Sequence, residues 1–258
     1  MKLYYREFGK GNPLLILHGL FGNSDNWLPI ARRLAQNHRV FLLDMRNHGR
    51  SPHDPVFTLE SMVEDIYEFI TDLELRTVSL IGHSMGGMIT MNFAFEYSHR
   101  VARMAIIDIA PRSYPVIHDE ILKHLQDLDL SRILKRHDAD VQLSEFIPSR
   151  RVRQFLLKNL YRREDGRYSW RLNLPVIAEN LTEIRKGILK PQRIANPVLF
   201  IRGGLSGYMT DADVSRLPEL FEHFQVETIA GASHWLHSEA PDLLIDLLAA
   251  FFVTVGQE

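Results

Sequence analysis

One stretch decides the fold of this 258-residue chain: Val78-Ser-Leu-Ile-Gly-His-Ser-Met-Gly-Gly87. Residues 78–82 are apolar enough for a buried strand, and a helical pattern follows over residues 85–97. Between them, Gly82-x-Ser84-x-Gly86 suits the sharp turn that presents a serine at the tip of a sheet, where larger flanking side chains would collide with the packed strand and helix. The stretch predicts Ser84 as a nucleophile. The alternative is an ordinary glycine-rich turn with an idle serine.

Apolar runs of strand length recur on both sides of this stretch. They are LLIL (14–17), VFLLD (40–44), MAIID (104–108), VLFI (198–201) and VETIA (226–230), while LYYREF (3–8) alternates like an antiparallel edge strand. Helical patterns lie between them, at 27–36, 59–73 and 240–252, and Thr58 is a suitable N-cap for the second. The alternation predicts the α/β class, with a mostly parallel sheet and helices on both faces.

One long segment interrupts the alternation. Residues 111–196 contain no convincing buried strand, which predicts a helical cap inserted between two core segments, 1–110 and 197–258. The cap segment (residues 111–196) carries 17 Lys and Arg against 11 Asp and Glu, a net charge of +6, while the rest of the chain carries −8. This basic character indicates either a solvated helix face or a lid that attracts anionic substrates to the carboxyl edge of the sheet.

Composition excludes several classes of protein. A net charge of −2 and a pI near 6.6 argue against nucleic acid as the main partner. Cysteine is absent, which excludes disulfides and thiol chemistry, and no H-E-x-x-H metal motif occurs. The start lacks a signal-peptide pattern, and the apolar tail 243–253 is short and contains Asp246, so we expect no membrane span. The expectation is a soluble cytoplasmic protein.

A serine nucleophile needs a base, because its hydroxyl is weakly reactive until its proton is removed. The chain has 12 histidines, and in sites of this type the base follows the last strand. His234, in Gly231-Ala-Ser-His234-Trp, follows the strand VETIA and is therefore the predicted base. His237 is the rival, although it suits packing or a supporting hydrogen bond better.

The loop after LLIL is the expected place for an oxyanion-hole amide. In such sites an amide of this loop acts with the amide of the residue after the nucleophile, here Met85. Leu20 is the predicted loop donor and Phe21 the alternative. We expect a supporting role for His18 and for three residues of the next loop, Asp44, Arg46 and His48.

Together these motifs resemble the α/β-hydrolase superfamily, and more finely the YbfF-type esterases. The resemblance rests on HGLFG (18–22), DMRNHGRS (44–51), GHSMGG (82–87), IDIAP (107–111), FLLKNL (155–160), RLNLPV (171–176) and GASHWLHSEAPD (231–242). It implies an α/β-hydrolase fold with a helical cap and a cofactor-free serine esterase or thioesterase. The departures from the family pattern lie mainly in the cap segment, so they affect the expected substrate preference rather than the expected mechanism.

The position of the catalytic acid is unusual. Many hydrolases of this fold carry it after the strand read here as VLFI, as G-x-x-D, but in RGGLSGYM (202–209) that position is Ser206. Asp211 and Asp213 come later, where a helix begins, and suit capping. Asp108 ends the neighbouring strand, where a buried charge needs partners. Both the position and the resemblance favour Asp108 as the acid, with Ser206 as a supporting fourth member; an ordinary loop serine is the alternative.

The predicted reaction is acyl transfer from a small ester or thioester, acyl-CoA-like ones included, to water. Six residues of the cap segment are candidates for an acyl pocket: Phe146, Phe155, Leu156, Leu160, Tyr161 and Trp170. A C–C bond hydrolase or lyase of the same fold is the alternative within enzymes. The alternative outside enzymes is a non-catalytic ligand receptor with the same fold. Turnover of any simple ester would exclude it.

Overall fold

A computed structural model describes residues 1–115 and 119–252. Its strands are β1 (Tyr5–Phe8), β2 (Asn12–Leu17), β3 (His38–Leu43), β4 (Val78–His83), β5 (Val101–Ile107), β6 (Leu160–Arg162), β7 (Tyr168–Trp170), β8 (Val198–Gly203) and β9 (Phe224–Ile229). Its helices are α1 (Leu28–Leu34), α2 (Leu59–Asp72), α3 (Met85–Glu96), α4 (Asp119–Asp127), α5 (Arg136–Ser144), α6 (Arg150–Leu157), α7 (Leu174–Glu179), α8 (Leu181–Ile184), α9 (Asp211–Arg216), α10 (Leu236–Glu239) and α11 (Pro241–Phe252).

Seven of the described strands form one sheet, in the order β1-β3-β2-β4-β5-β8-β9. β1 pairs antiparallel with β3 at one edge, and the other neighbours pair in parallel. The predicted α/β-hydrolase fold and its antiparallel edge strand are confirmed. The carboxyl ends of β2, β3, β4, β5, β8 and β9 therefore meet at one edge, where ligands of such sheets bind.

Alternate residues of the strands fill two hydrophobic cores, one on each face of the sheet. Leu15 and Leu17 pack with side chains of α2 and α3, whereas Leu14 and Ile16 pack with α1 and α11. Residues such as Leu14 and Leu17 are completely buried, as expected for a sheet covered on both sides. α2 begins at the predicted cap, since Thr58 accepts the amide hydrogen of Ser61.

The cap segment folds as helices α4 to α8 and a short hairpin, β6–β7, that stands apart from the main sheet. Its buried leucines, Leu156 and Leu160 among them, belong to the same hydrophobic cluster as α2 and α3. The division of the chain at residues 111 and 196 stays a prediction.

No helix in the described ranges is both long and apolar enough to cross a bilayer. The cytoplasmic location stays a prediction, as does the absence of a nucleic-acid partner.

Candidate active site

Ser84 lies on the turn between β4 and α3, in a backbone conformation that serine rarely adopts. Its φ is 53° and its ψ is −117°, outside the regions favoured for L-residues. The turn is tight because Gly86 approaches β2 and Gly82: a Cβ at Gly82 would collide with the Gly86 carbonyl, and one at Gly86 with the Leu17 carbonyl. The two glycines therefore permit the packing, and the amide of Ser84 donates to the carbonyl oxygen of Ile107 at 3.0 Å.

Ser84 lines a partly open cavity at the carboxyl edge of the sheet. The described lining is mainly apolar and contains a single charged residue, Arg185. The lining residues are Leu20, Ser84, Met85, Met88, Ile109, Tyr114, Pro115, Ile184, Arg185 and Tyr208. An apolar cavity with few polar groups suits a small acyl group better than a highly polar ligand.

The expected acyl-pocket residues of the cap segment lie elsewhere. None of the six candidates lines the cavity at Ser84 among the described residues. Phe155 packs on Trp235, with ring centroids 4.3 Å apart, and Phe146 is 56% exposed. This expectation is wrong because apolar cap residues such as Leu156 and Leu160 complete the hydrophobic core. The cap segment supplies Tyr114, Pro115, Ile184 and Arg185 to the lining instead.

His234 and Asp108 are directly joined. The Nδ1 atom of His234 lies 2.7 Å from Oδ2 of Asp108, a distance typical of a charge-assisted hydrogen bond. Asp108 is fully buried at the end of β5, with a positive φ of 49°. Its other oxygen, Oδ1, accepts the amide hydrogen of Gly203 at 2.9 Å. A carboxylate acceptor assigns the proton of the neutral imidazole to Nδ1, which leaves Nε2 of His234 as the basic nitrogen.

Ser206 completes the environment of the carboxylate. Its hydroxyl donates to Oδ2 of Asp108 at 2.5 Å, the same oxygen that faces His234. The hydroxyl in turn accepts the amide hydrogen of Tyr208 at 3.2 Å. Ser206 therefore stands where many hydrolases of this fold carry the acid, and it donates a hydrogen bond to Asp108, which follows the neighbouring strand β5.

The rival residues have other partners. Asp213 accepts from Thr210 at the start of α9 and pairs with Arg112 at 2.8 Å, and Asp211 is exposed and pairs with Arg202 at 2.7 Å. His237 is buried against Trp27, with ring centroids 4.9 Å apart, and neither of its nitrogens has a hydrogen-bond partner in the described chain. Burial lowers the pKa of His237 to about 3, with smaller contributions from His234 and Lys158.

Two residues that the sequence analysis missed hold His234 in place. The ring of Tyr208 stacks on the imidazole of His234, with centroids 3.8 Å apart. His83 donates from Nε2 to the main-chain carbonyl of His234 at 2.8 Å. Burial, reinforced by His234 and His237, keeps the pKa of His83 well below its usual value, so its ring is neutral. Their signal in the sequence is position alone: His83 directly precedes Ser84, and Tyr208 follows Ser206 by two residues.

The loop after β2 approaches Ser84 with its backbone. Leu20 and Met85 line the cavity together, and in the described chain neither amide has a hydrogen-bond acceptor. The amide of Phe21, the alternative donor, is already used, because it donates to Nε2 of His48 at 3.2 Å. The geometry favours Leu20 over Phe21 as the loop donor.

The residues expected to support these loops form a buried polar network. His18 bonds Gly19 and accepts the amide hydrogen of Met45 at 3.0 Å, and burial lowers its pKa to about 4. Asp44 accepts the amide hydrogens of Ser24 and Arg50. Arg46 makes two hydrogen bonds to the carboxylate of Asp65, of 2.6 and 2.7 Å. Such bidentate pairs fix geometry as well as charge.

Comparisons with known proteins agree over most of the chain. The family described as alpha/beta hydrolase fold matches residues 12–241. A zebrafish (Danio rerio) protein named sn-1-specific diacylglycerol lipase ABHD11 is 36% identical, over 97% of this chain and 82% of that protein. Esterase YbfF of Escherichia coli K12 is also 36% identical, over 91% and 90%. The solved structure of a marine microorganism esterase has a TM-score of 0.94 at 40% identity, over 97% and 99%.

Proposed function

Since this chain belongs to the α/β-hydrolase family and is a hydrolase of the esterase and lipase type, we propose that it cleaves carboxylic esters or thioesters through a Ser84–His234–Asp108 triad and an acyl-enzyme. One observation carries the proposal: His234 bonds Asp108 at 2.7 Å at the same sheet edge at which Ser84 occupies its strained turn. A nucleophile, a base and an orienting acid are the parts that acyl transfer requires.

The reaction begins when the hydroxyl oxygen of Ser84 attacks the substrate carbonyl carbon and its proton passes to Nε2 of His234. The resulting oxyanion accepts hydrogen bonds from the amides of Leu20 and Met85. The intermediate then collapses: the bond to the leaving oxygen or sulfur breaks, and His234 returns the proton to the leaving group. Water attacks the acyl-enzyme with His234 as base, which releases the carboxylic acid and regenerates Ser84.

Asp108 acts by orienting His234 and by stabilising the imidazolium that forms during each step. Ser206 acts on Asp108, because its hydroxyl binds the oxygen that faces His234. Tyr208 and His83 hold the imidazole ring and the backbone of His234. These are positioning residues, since each acts through another group of the site.

The cavity and the cap segment support the proposed substrate class. The cavity beside Ser84 is mainly apolar, which suits an acyl chain, and two relatives carry names of an esterase and of a diacylglycerol lipase. The net charge of +6 on residues 111–196 supports acyl-CoA-like thioesters, whose phosphates a basic segment attracts.

The decisive experiment measures how fast a fluorophosphonate probe labels the wild type, Asp108→Asn and Asp211→Asn. We expect fast labelling of Ser84, a loss of labelling in Asp108→Asn that parallels a fall in kcat of about 10⁴-fold, and no change in Asp211→Asn. Circular dichroism confirms that each variant is folded.

Two results would contradict the proposal. Labelling that is unchanged in Asp108→Asn would assign the acid elsewhere, with Asp213→Asn as the next variant. Wild-type protein that labels no faster than unfolded chain would indicate a non-catalytic receptor on this scaffold.

A further inference from the structure

A tight turn carries the predicted oxyanion donor. Gly19, Leu20, Phe21 and Gly22 form it, and the amide of Gly22 donates to the carbonyl of Gly19 at 2.9 Å. The third residue, Phe21, has a φ of 61°. That position of a turn normally takes glycine or asparagine when φ is positive, and a bulky residue is strained there.

Both backbone polar groups of this strained residue are held by side chains from other segments. The amide of Phe21 donates to Nε2 of His48 at 3.2 Å. The carbonyl of Phe21 accepts from Nδ2 of Asn159 at 2.6 Å. His48 belongs to the loop after β3, and Asn159 belongs to the cap segment, between α6 and β6. Phe21 is thus fixed from two sides, and one side is the cap.

Asn159 is suited to this role because all of its polar atoms are used. It is completely buried. Its Nδ2 donates to the carbonyls of Phe21 and Leu156, and its Oδ1 accepts from Nδ2 of Asn23 at 2.8 Å. A side chain that only donates or only accepts would leave a buried polar group unsatisfied, which is costly.

His48 contributes as a neutral acceptor. Burial, with a smaller effect from His18, lowers its pKa to about 3. Its Nδ1 faces the carbonyl of Arg46 at 3.0 Å, and a carbonyl only accepts, so the proton lies on Nδ1. Nε2 is therefore free of hydrogen and accepts the amide of Phe21.

The direction of the Leu20 amide follows from these contacts. In a trans peptide the N–H of Leu20 points opposite to the carbonyl of Gly19. That carbonyl is bound by the amide of Gly22 and by Nδ1 of His18, at 2.9 and 2.8 Å. With Phe21 in its left-handed conformation, Gly22 is placed to donate to the Gly19 carbonyl. Groups that hold Phe21 therefore help to keep the Gly19–Leu20 peptide, and with it the Leu20 amide, in place beside the cavity of Ser84.

We propose that Asn159 and His48 are positioning residues that hold Phe21 left-handed and so build the oxyanion hole, which makes the cap segment a part of the catalytic apparatus. The inference rests on the proposed function, because it assigns a task to an oxyanion hole. The residues involved lie in three stretches quoted above: FLLKNL (155–160), DMRNHGRS (44–51) and HGLFG (18–22).

The test compares Asn159→Ala with Asn196→Ala. Asn196 is a matched control, because it is also an amide side chain of the cap segment that bonds the core: its Nδ2 donates to the carbonyls of Ser98 and Val101, at 3.0 and 2.7 Å, at the amino end of β5. For Asn159→Ala we expect kcat for a simple ester to fall about 10- to 100-fold, less than the roughly 10²–10³-fold loss when a donor is removed outright. KM should change little, and Asn196→Ala should keep wild-type kcat.

A second readout separates a misplaced oxyanion hole from general damage. An ester and its thiono analogue differ in the atom that the hole must bind, and sulfur accepts hydrogen bonds more weakly than oxygen. The ratio of kcat for the oxygen ester to kcat for the thiono ester should fall in Asn159→Ala by about the factor lost in kcat. The acid limb of the pH–rate profile should not move, because the catalytic base sets it. Asn159→Leu fills the same space without polar atoms and serves if the alanine variant does not fold.

The outcomes distinguish this inference from the proposed function. A wild-type protein that turns over no ester overturns both. An active wild type overturns only the inference if the folded Asn159 variants lose activity through KM alone, keep the wild-type preference for the oxygen ester, or lose no more kcat than Asn196→Ala.

Discussion

Several hydrogen-bond donors converge on the buried side chain of Asp108. The amide of Gly203 binds one oxygen, and the hydroxyl of Ser206 and the imidazole of His234 share the other. A buried charge is costly without such partners. Removing one donor should therefore weaken both the fold and the orientation of His234.

Ser206→Ala tests this sharing of donors. We expect the free energy of unfolding at pH 7.5 to fall by about 1.5–3 kcal/mol, the range for hydrogen bonds to charged groups. We also expect kcat to fall by about 3- to 30-fold with KM unchanged, because Asp108 then orients His234 less firmly. Denaturant unfolding and steady-state kinetics measure the two quantities. Ser215→Ala, the same change on an exposed part of α9, is the control. A wild-type kcat in Ser206→Ala would identify an ordinary loop serine.

Residues at strand ends could be predicted from the sequence, whereas residues that act across segments could not. Ser84, Asp108 and His234 each follow an apolar run, so their placement at one sheet edge follows from the order of strands and loops. Asn159 and Tyr208 follow no such rule. Their contacts, to Phe21 and to His234, join positions far apart in the sequence, and no local pattern of residues encodes them.

At the level of elements, buried strands were the easiest to place. The run VLFI begins β8 at the expected residue, because a strand covered on both faces must be continuously apolar. The first helix was harder: a 3-10 turn at Ser24–Asn26 precedes α1, which begins at Leu28 with proline second. The hairpin β6–β7 was missed, because strands of three residues are too short to show an alternation of apolar and polar side chains.

The charge of the cap segment gives a prediction at this scale. Many of its cations have partners, such as Arg153 with Asp140 at 2.7 Å, yet the net charge of the segment is +6. If the segment attracts acyl-CoA-like substrates, added salt should weaken that attraction by screening. We expect KM for a CoA thioester to rise about 3- to 10-fold between roughly 0.02 and 0.3 M salt, while KM for a neutral ester stays constant.

A charge-removing variant in the cap gives the matching test. Arg150→Ser, at the exposed start of α6, should reduce the salt response of the CoA thioester, whereas Arg216→Ser, outside the cap segment in α9, should leave it unchanged. If salt changes the KM of the wild-type protein equally for the CoA thioester and the neutral ester, the alternative of a solvated basic helix face is favoured.

At the scale of the whole molecule, four neutral histidines among the described residues are buried around the sheet edge that carries Ser84: His18, His48, His83 and His237. Burial is the largest cause of the low pKa in each, with values of about 4 for His18 and about 3 for His48 and His237. In the unfolded chain the same side chains take up a proton near pH 6.5. The network that shapes the site therefore makes the fold sensitive to acid.

The sign follows from the proton balance. Between about pH 6 and pH 4 the unfolded chain binds protons at these histidines and the folded protein does not, so stability is complete above pH 6.5 and is lost as the pH falls. Each such histidine contributes a slope of about 1.4 kcal/mol per pH unit. We expect denaturant unfolding between pH 7.5 and pH 5 to show a steep decline of the unfolding free energy.

His237→Phe isolates one member of this set. His237 makes no described hydrogen bond and stacks on Trp27, so phenylalanine can replace it without leaving a polar partner unsatisfied. The variant should match or exceed the wild-type stability at pH 7.5, and its slope below pH 6 should be shallower by about 1.4 kcal/mol per pH unit. His99→Gln, which removes an exposed imidazole, is the control. A slope that stays at the wild-type value in His237→Phe would mean that the acid sensitivity of the fold originates away from this buried ring.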